Sequence, residues 1–469
     1  MTTNKLRVLG GSMLLSGLVG LSTPATAANE SMKLFFETQL QNGNITQQQY
    51  NDLVQALEKD SQAMEKEVEK QVSEATKSVP EITTKEKLEI KSADGDFEWD
   101  IGGRLQADYA VYDTDGLSND ATGPDNGDRD GLADGAEIRR ARIAVKGKLW
   151  DVWKLKVQAD FNEETELKDG WLSYNGWDAA SIKFGQFKEP YGLEELTSSK
   201  YDTMHHESTV TQAFAPSRAV GIAAHTVIND MFTLNGGVFG EEFESEGDDD
   251  GSGWGITGRG TFSPIHTEDR ALHFGVAGGW RTPDQADDFG GVDGSLETHV
   301  DEPELITTDN FAADDFTLLG IEAAGVWKRF SLQGEYMRQE VSRPTGSDLT
   351  FDGYYVMGSF FLTDDRRPYD FKPGDFDKVN PRSKVGKGGY GAWEVAARFS
   401  SLDLSDADVI DPGITGGELD NVSLALNWYA NKNVRFLVSY NAVVDNSSPS
   451  EFTRGIEPAS IETRAQIFW

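Results

Sequence analysis

The sequence predicts an all-β protein: a sixteen-stranded antiparallel transmembrane β-barrel preceded by a short periplasmic helical, coiled-coil segment. Three observations carry this prediction. Segments of about ten residues alternate apolar and polar side chains from Phe97 to Trp469. Short turns and long loops alternate between these segments. Most segments have one face that is too charged for the core of a soluble sandwich, whereas the other face would suit lipid.

Composition narrows the class of protein further. The 469 residues include no cysteine, which excludes disulfides and thiolate metal sites. The formal net charge of -36 argues against binding nucleic acid through bulk electrostatics. No apolar run beyond the first residues is long enough for a transmembrane helix.

The first residues have the pattern of a signal peptide. Lys5 and Arg7 form a basic region, Val8–Leu21 is apolar, and Ala25–Ala27 has the small residues of a cleavage site. We therefore interpret residues 1–28 as a signal peptide that is removed on export. An uncleaved anchor is the alternative. Export together with a barrel predicts the outer membrane of a Gram-negative bacterium.

Residues 29–80 are predicted to be helical and periplasmic. Thr46 and Gln49 have the spacing of a capping box, and the second helix ends before Pro80. Apolar residues recur along it at spacings of three, four and seven, which is a short coiled-coil pattern. A solvated single helix is the alternative, because polar residues hold several seam positions. Residues 81–96 are expected to be a linker.

Sixteen segments from residue 97 to 469 are predicted to be strands. They are 97–112, 138–149, 154–161, 167–174, 181–187, 219–227, 232–239, 253–262, 271–281, 316–327, 330–340, 353–362, 390–400, 419–429, 434–444 and 460–469. The even count places both ends of the barrel on the short-turn, periplasmic side. Two connections depart from the pattern: the one after Phe161 is short, and 363–389 is long where a tight turn is expected.

The hairpin 138–161 has one apolar face and one basic face, because side chains alternate along a strand. The basic face carries Arg140, Arg142, Lys146, Lys148, Lys154 and Lys156. Basic side chains along a pore favour anions, so these residues predict one basic wall of a channel. The alternative is that they pair with lumenal acids, for which Asp160, Asp169, Glu335 and Glu394 are the candidates.

Loop 113–136 contains a possible calcium loop. Oxygen ligands at alternate positions can wrap a hard cation, and Gly131 would allow the bend. The candidate ligands are Asn126, Asp128, Asp130, Asp134 and Glu137. The alternative is an acidic surface loop that meets divalent ions among lipopolysaccharides. No catalytic motif stands out, so no enzymatic activity and no required cofactor are predicted.

Several segments resemble the phosphate-selective porin O/P family. They include IGGRLQADY (101–109), EIRRARIAVKGKLWDVWKLKVQADF (137–161), LKDGWLSYNG (167–176), IKFGQFKEPYGLEELTSSKY (182–201), GAWEVAARFSSL (391–402) and VSLALNWYANKNVRFLVSYN (422–441). The resemblance implies a homotrimer whose third loop folds into the lumen. It also implies basic side chains that draw small inorganic anions, phosphate above all, along the channel.

The family's constriction pattern transfers in part. Arg139 and Arg140 match its paired arginines, and Asp169 matches its lumenal aspartate. Arg142 and Lys188 stand where the best-known phosphate channels have tyrosines. Glu195 and Glu207 stand where those channels have lysine and arginine. Two acids in place of two bases argue against tight phosphate capture, which needs convergent donors and little opposing charge.

The same loop carries other polar residues of interest. Lys200 is counted with the anion path. His205 and His206 could make conductance depend on pH, although exposed histidines without a role are the alternative. The expected function is passive diffusion of small hydrophilic solutes, with anions as the cargo. The alternatives are a general or cation-preferring porin, or a structural protein that tethers the membrane to peptidoglycan or periplasmic proteins through its helices.

Overall fold

A computed structural model describes most of the chain. The described residues are 29–76, 79–84, 87–114, 132–162, 164–240, 253–283, 291–302, 304–308, 310–406, 415–450 and 453–469. The expected signal peptide, 1–28, and three of the expected calcium ligands, Asn126, Asp128 and Asp130, lie outside this part. The chain forms two compact units. One comprises the described residues up to Ile101 with Gly147–Asp151, and the other comprises the rest.

The first unit contains two helices, α1 (29–41) and α2 (Gln47–Thr76). The capping box forms: the Thr46 amide donates to the Gln49 side chain at 2.9 Å, and the Gln49 amide donates to the Thr46 hydroxyl at 3.3 Å. The helices run antiparallel, with Lys33 on α1 paired to Glu58 on α2 at 2.8 Å. None of the helices that the structure describes combines the length and apolarity needed to cross a bilayer.

The expected linker 81–96 is more ordered than the sequence suggested. Two short strands, Glu81–Thr83 and Leu88–Lys91, pair antiparallel within it. The second of them continues the pairing onto residues 98–101. A short alternation of Leu88 and Ile90 with Glu89 and Lys91 is enough to form a strand beside an existing edge.

Sixteen long strands form the barrel. They are β1 (Phe97–Asp113), β2 (Gly135–Leu149), β3 (Trp153–Asp160), β4 (Glu166–Tyr174), β5 (Ser181–Lys188), β6 (Arg218–Ile228), β7 (Phe232–Phe239), β8 (Trp254–Thr267), β9 (Arg270–Thr282), β10 (Asp315–Trp327), β11 (Phe330–Ser342), β12 (Leu349–Phe361), β13 (Ala392–Asp403), β14 (Glu418–Tyr429), β15 (Val434–Asn446) and β16 (Ala459–Phe468). β16 pairs antiparallel with β1, with Ile461 opposite Val111, and this closes the barrel. The predicted sixteen-stranded barrel is confirmed.

The barrel has its apolar face outside. On β1, Leu105 and Tyr109 are 42% and 49% exposed, whereas Gln106 and Asp108 between them are buried. Exposed apolar side chains that alternate with buried polar ones are the pattern of a barrel in lipid. Tight turns join the strands at one end. Asn229 and Asp230 both have positive φ, 52° and 51°, as a type I′ hairpin turn requires.

Three connections matter for the barrel interior: loop 3 (189–217), loop 5 (283–314) and the turn segment (363–389). Loop 3 contains two short helices, α3 (Leu193–Leu196) and α4 (Thr209–Phe214). Loop 5 contains an antiparallel pair, Asp293–Ser295 with Glu304–Thr307. The turn segment contains a small hairpin, Tyr369–Asp370 with Asp375–Phe376.

Loops 3 and 5 build a hydrophobic core inside the barrel. Their apolar side chains pack on inward-facing side chains of β9–β15. The cluster includes Tyr191, Val210 and Phe214 from loop 3, Leu296 and Leu305 from loop 5, and Met337 and Phe351 from the wall. This core occupies the side of the barrel formed by the later strands. The open space lies along the earlier strands.

Candidate functional site

A cavity of about 790 Å³ runs along β1–β7 and is bounded by loop 3 and the turn segment. Its lining is strongly basic. Eleven basic side chains, Arg104, Arg139, Arg140, Arg142, Lys154, Lys156, Lys168, Lys183, Lys188, Arg218 and Lys372, face four acids, Asp169, Glu195, Glu207 and Asp375. Such an excess of one charge between low-dielectric walls focuses a positive potential into the cavity.

Most of the residues singled out from the sequence as the anion path line this cavity. They are Arg139, Arg140, Arg142, Lys154, Lys156, Asp169 and Lys188. Lys146 and Lys148 do not line it, and Lys148 pairs with Asp151 at 2.6 Å. Lys200 lies at a separate small pocket, with its ammonium 5.4 Å from the ring centre of Phe468.

Arg139 and Arg140 both line the cavity, although strict alternation would place neighbours on opposite faces of β2. The ladder is irregular here. The backbone N–H of Ala141 donates to the Asp160 carboxylate at 2.9 Å, and the Phe161 amide donates to the Ala141 carbonyl at 3.0 Å. Irregularities of this kind re-aim adjacent side chains in barrels.

Gly185 shapes the next part of the wall. Its φ is +119°, and a Cβ there would lie 2.1 Å from the carbonyl oxygen of Gly170. Only glycine fits such a position. The alternation of β5 shifts at this point, so that Gln186 and Phe187 are both buried while Phe184 stays exposed to the outside. Lys188 then follows at the edge of loop 3.

Part of the basic wall is neutralised by neighbouring acids. Arg142 pairs with Asp160 at 2.5 Å, and both side chains are buried. Lys156 pairs with Asp169 at 2.7 Å. Lys188 pairs with Glu195 at 3.0 Å. Two of the four acids that the sequence offered as partners, Asp160 and Asp169, therefore do pair with the wall.

A second group of basic wall residues is not paired with acids. Within the described residues, Arg104, Arg139 and Arg140 form no ion pair within 4.0 Å. Arg104 donates to the Ser199 hydroxyl at 2.6 Å, and Arg140 donates to the Gln106 side chain at 3.2 Å. The Nε atoms of all three are buried without a hydrogen-bond partner. Buried unpartnered donors are costly, so this cluster favours an anionic ligand.

Loop 3 is tied to the barrel wall by charged side chains of the opposite strands. Glu335 on β11 accepts from the amides of Leu193 and Glu194, each at 2.7 Å. Arg398 on β13 pairs with Glu194 at 2.8 Å. Arg464 on β16 donates to the carbonyl of His205 at 2.9 Å. Loop 3 is thus fixed across the barrel interior at several points.

His205 and His206 are buried, at 4% and 8% exposure, rather than exposed. Burial, followed by the positive charge of Arg464, lowers the pKa of His205 to about 4. Burial also holds the pKa of His206 well below its usual value, against the opposing effect of Glu207. Both imidazoles are therefore neutral near neutral pH.

The turn segment reaches the cavity from the other end. Arg259 on β8 donates to the carbonyls of Pro373 and Gly374 at 3.2 and 2.8 Å. The Tyr369 hydroxyl lies 2.6 Å from both the Ser263 hydroxyl and His273 Nδ1. These contacts place Lys372 and Asp375 of the same segment at the cavity. Its unusual length at a short-turn position was the only sequence signal for this insertion.

Sequence reasoning also missed several wall residues: Arg104, Lys168, Lys183 and Arg218. Alternation alone could have found two of them. Arg104 precedes the exposed Leu105, and Lys183 precedes the exposed Phe184, so both face the other side of their strands. Loop 5 gave no comparable signal, because its contacts are with strands distant in the sequence.

The described members of the expected calcium loop have protein partners. Asp134 accepts from the Tyr112 amide at 2.8 Å. Glu137 accepts from His299 Nδ1, at 2.9 and 3.0 Å to its two oxygens. Calcium binding by this loop stays a prediction.

Known proteins resemble this chain across the barrel. The family model "Phosphate-selective porin O and P" matches residues 100–469. Porin O of Pseudomonas aeruginosa is 27% identical over 397 residues, covering 76% of this chain and 86% of that protein. Among solved structures, a loop-L8 deletion mutant of OmpT from Vibrio cholerae superposes with a TM-score of 0.51. It is 11% identical and covers 80% of this chain and 100% of the other, so it supports the fold alone.

Proposed function

The chain belongs to the phosphate-selective porin O and P family, and from that premise we propose that this outer-membrane porin passes small anions in preference to cations. The observation that carries the proposal is the unpaired arginine cluster of Arg104, Arg139 and Arg140 in the cavity. Fixed positive charge at a narrow point raises the local concentration of anions and lowers that of cations.

The shape of the cavity also supports a preference for anions. Loop 3 and the turn segment narrow the open side of the barrel to a space lined by eleven basic and four acidic side chains. A permeating ion must exchange part of its water shell for these side chains. Guanidinium groups with free N–H donors can replace the water around an oxyanion with hydrogen bonds, whereas their positive charge repels a cation.

Phosphate is the family-implied cargo, and we propose that it is held only weakly. Glu195 and Glu207 line the same cavity as the arginines. Glu195 already binds Lys188, which removes one ammonium from the set of free donors. These carboxylates repel an anion carrying two charges more strongly than chloride, which offsets part of its stronger attraction to the arginines. The channel is therefore expected to pass phosphate without strong retention.

The test is the reversal potential of the purified protein in planar bilayers under a potassium chloride gradient. We expect anion preference in the wild type. The double substitution Arg139→Gln with Arg140→Gln should lower the anion-to-cation permeability ratio about two- to threefold. Arg338→Gln is the matched control, because Arg338 pairs with Glu340 at 2.6 Å outside the cavity. A cation-preferring wild type, unchanged by the double substitution, would refute the proposal and favour a general or cation-preferring porin.

We also propose that this porin assembles as a homotrimer. The family resemblance implies a homotrimer in lipid bilayer and lipopolysaccharide. Unheated and heated samples on a denaturing gel, together with mass measurement in detergent, would distinguish three chains from one.

The helical segment favours a second role, the tethering of the outer membrane. Leu34 and Phe35 on α1 and Met64 on α2 are 65%, 55% and 61% exposed. Exposed large apolar side chains on this helix pair favour a surface that meets a partner. Peptidoglycan or periplasmic proteins are the expected partners. Deletion of residues 30–80 should then weaken envelope attachment while conductance persists, and unchanged attachment would remove this role.

A further inference from the structure

Three side chains with metal-binding atoms meet where loop 3 approaches loop 5: His206, His299 and Glu302. One ligand atom of each lies within 4.8 Å of the others. We propose that this cluster, the loop 3–loop 5 site, binds a divalent transition-metal cation of the zinc class. The site is separate from the arginine cluster and from the expected calcium loop, with which it shares only Glu137 as a supporting residue.

The geometry fits such a cation. His206 Nε2 and Glu302 Oε1 are 3.4 Å apart. Ligands at about 2.0–2.1 Å from a tetrahedral zinc ion are separated by about 3.4 Å, so these two atoms already have that spacing. The two imidazole rings are stacked with centres 5.6 Å apart and an interplanar angle of 27°. A ligand atom of His299 lies within 4.8 Å of both of these atoms.

His206 provides the second observation. Its Nε2 is buried and has no hydrogen-bond partner, although Glu302 lies nearby. A buried polar atom without a partner costs about 1–3 kcal/mol, and a bound cation would remove that cost.

His299 is oriented by a supporting carboxylate. Its Nδ1 lies 2.9 and 3.0 Å from the two oxygens of Glu137 on β2. This contact places the ring proton on Nδ1 and leaves the Nε2 lone pair free. A carboxylate behind a histidine in this way is a recurrent feature of zinc sites, where it fixes the tautomer and raises the basicity of the ligand.

His206 also has a carboxylate near its Nδ1, as His299 does. Binding a cation at Nε2 requires the proton on Nδ1, and Glu207 Oε2 lies 3.6 Å from that atom. The Gln212 amide nitrogen also lies 2.8 Å from Nδ1. Loading the site therefore requires the Gln212 side chain to turn away and the ring proton to move from Nε2 to Nδ1, where Glu207 would accept a hydrogen bond from the Nδ1–H.

The charges around the site favour a cation on balance. Glu137 from β2, Glu207 from loop 3 and Glu302 from loop 5 provide three carboxylates, while Arg139 and Arg140 from β2 oppose them at longer range. Two imidazoles and one carboxylate select zinc-class metals over calcium or magnesium, which prefer oxygen ligands alone. Three protein ligands leave the fourth position to water.

Metal binding would join two loops that are about ninety residues apart in the sequence. Loop 3 would then be fixed to loop 5 at the cavity edge, next to Glu207, which lines the cavity. A dication here would offset the carboxylates beside the arginine cluster. Stronger anion preference on loading is a consequence that rests on the proposed function, whereas the binding itself does not.

The test is calorimetric titration of the full-length protein in detergent with zinc chloride, in excess magnesium to occupy the acidic surface. We expect one saturable site per chain. His299→Gln with Glu302→Gln should abolish it, and Glu137→Gln should weaken it about 10–100-fold. His266→Gln is the matched control, since His266 stacks on Phe371 at 4.2 Å and lies outside the cluster.

A second measurement protects the test against a misfolded variant. X-ray absorption at the zinc edge of the loaded wild type should show nitrogen and oxygen ligands with two imidazoles. Absence of a saturable site, equal affinity in the double variant, or an all-oxygen shell would each overturn the proposal. Calcium displacing zinc at equal concentration would also overturn it. Reversal potentials in metal-free buffer test the anion preference separately.

Discussion

Arg398 on β13 places its guanidinium 2.5 Å from the carboxylate of Glu297 in loop 5, and both side chains are buried. The same guanidinium pairs with Glu194 in loop 3 at 2.8 Å. One arginine of the barrel wall therefore holds both inserted loops. Ser400 and Ser423 complete the surroundings of Glu297, so the pair has few unsatisfied groups.

Arg398→Met is expected to release the two loops. The substitution leaves Glu194 and Glu297 buried without their cation, and breaking a buried pair costs about 3–5 kcal/mol. We expect larger and noisier single-channel conductance and a lower unfolding temperature. Single-channel recording and thermal unfolding in detergent would measure this. Arg338→Met is the control, and unchanged conductance with a folded Arg398→Met protein would show that the pair does not hold the loops.

The acids of the cavity limit its anion preference. Glu195 occupies the Lys188 ammonium at 3.0 Å, and Glu207 lies among the lining residues with Arg139 and Arg140. Glu195→Gln with Glu207→Gln should raise the anion-to-cation permeability ratio about two- to threefold. Phosphate should then reduce the chloride current at lower concentrations than in the wild type. A lower ratio in the double variant would mean that these acids position the basic groups rather than oppose the anion.

The sequence predicted the strands because side chains alternate between the two faces of a strand. Leu105 and Gln106 differ in burial because a strand has two faces, and that rule located all sixteen strands. It failed for Arg139 and Arg140, whose shared side depends on an irregularity stabilised by Asp160. Alternation describes a regular ladder and contains no information on where a side chain interrupts it.

The interior was less predictable for a different reason. Glu297 and Arg398 are 101 residues apart, and nothing local to either loop 5 or β13 indicates that they meet. His206 and His299 are similarly distant, so two scattered histidines gave no sign of a cluster. Contacts of this kind depend on the closed barrel, which brings remote loops to one space. The length of loops 3 and 5 was visible beforehand, and the family resemblance implied that loop 3 folds into the lumen.

Anion preference is expected to fall as pH rises through about 7. Burial raises the pKa of Asp375 to about 7. The charges of Asp370 and Asp377 add to this effect, whereas those of Arg259 and Lys188 oppose it. Burial and then Glu207 raise the pKa of Asp202 to about 7. Above that pH both acids become negative, so each ionisation makes the cavity region less positive.

Lys200 is also expected to lower the anion preference as the pH rises. Burial and then Arg104 lower its pKa to about 7, so the ammonium loses its charge over the same range. Reversal potentials between about pH 5.5 and 8.5 would show the change, and Asp375→Asn should reduce its size. Asp445→Asn is the control at an exposed position. Anion preference that rises with pH would contradict these assignments.

Tyr369 fixes the turn segment inside the barrel end. Its hydroxyl lies 2.6 Å from Ser263 and 2.6 Å from His273, and its ring packs on Phe376 at 5.7 Å. Tyr369→Phe removes the hydroxyl and leaves the buried His273 Nδ1 without that partner, a cost of about 1–3 kcal/mol. Lys372 and Asp375 in the same segment then lose their fixed positions at the cavity.

The expected result of Tyr369→Phe is a fluctuating current with a higher mean conductance, because the turn segment narrows the cavity from its own end. Voltage-clamp recording of single channels would measure both quantities. Tyr390→Phe is the matched control, since Tyr390 is 63% exposed. The conductance of the control should equal that of the wild type. A quiet, unchanged current in Tyr369→Phe would show that Arg259 alone, through the Pro373 and Gly374 carbonyls, holds the segment in place.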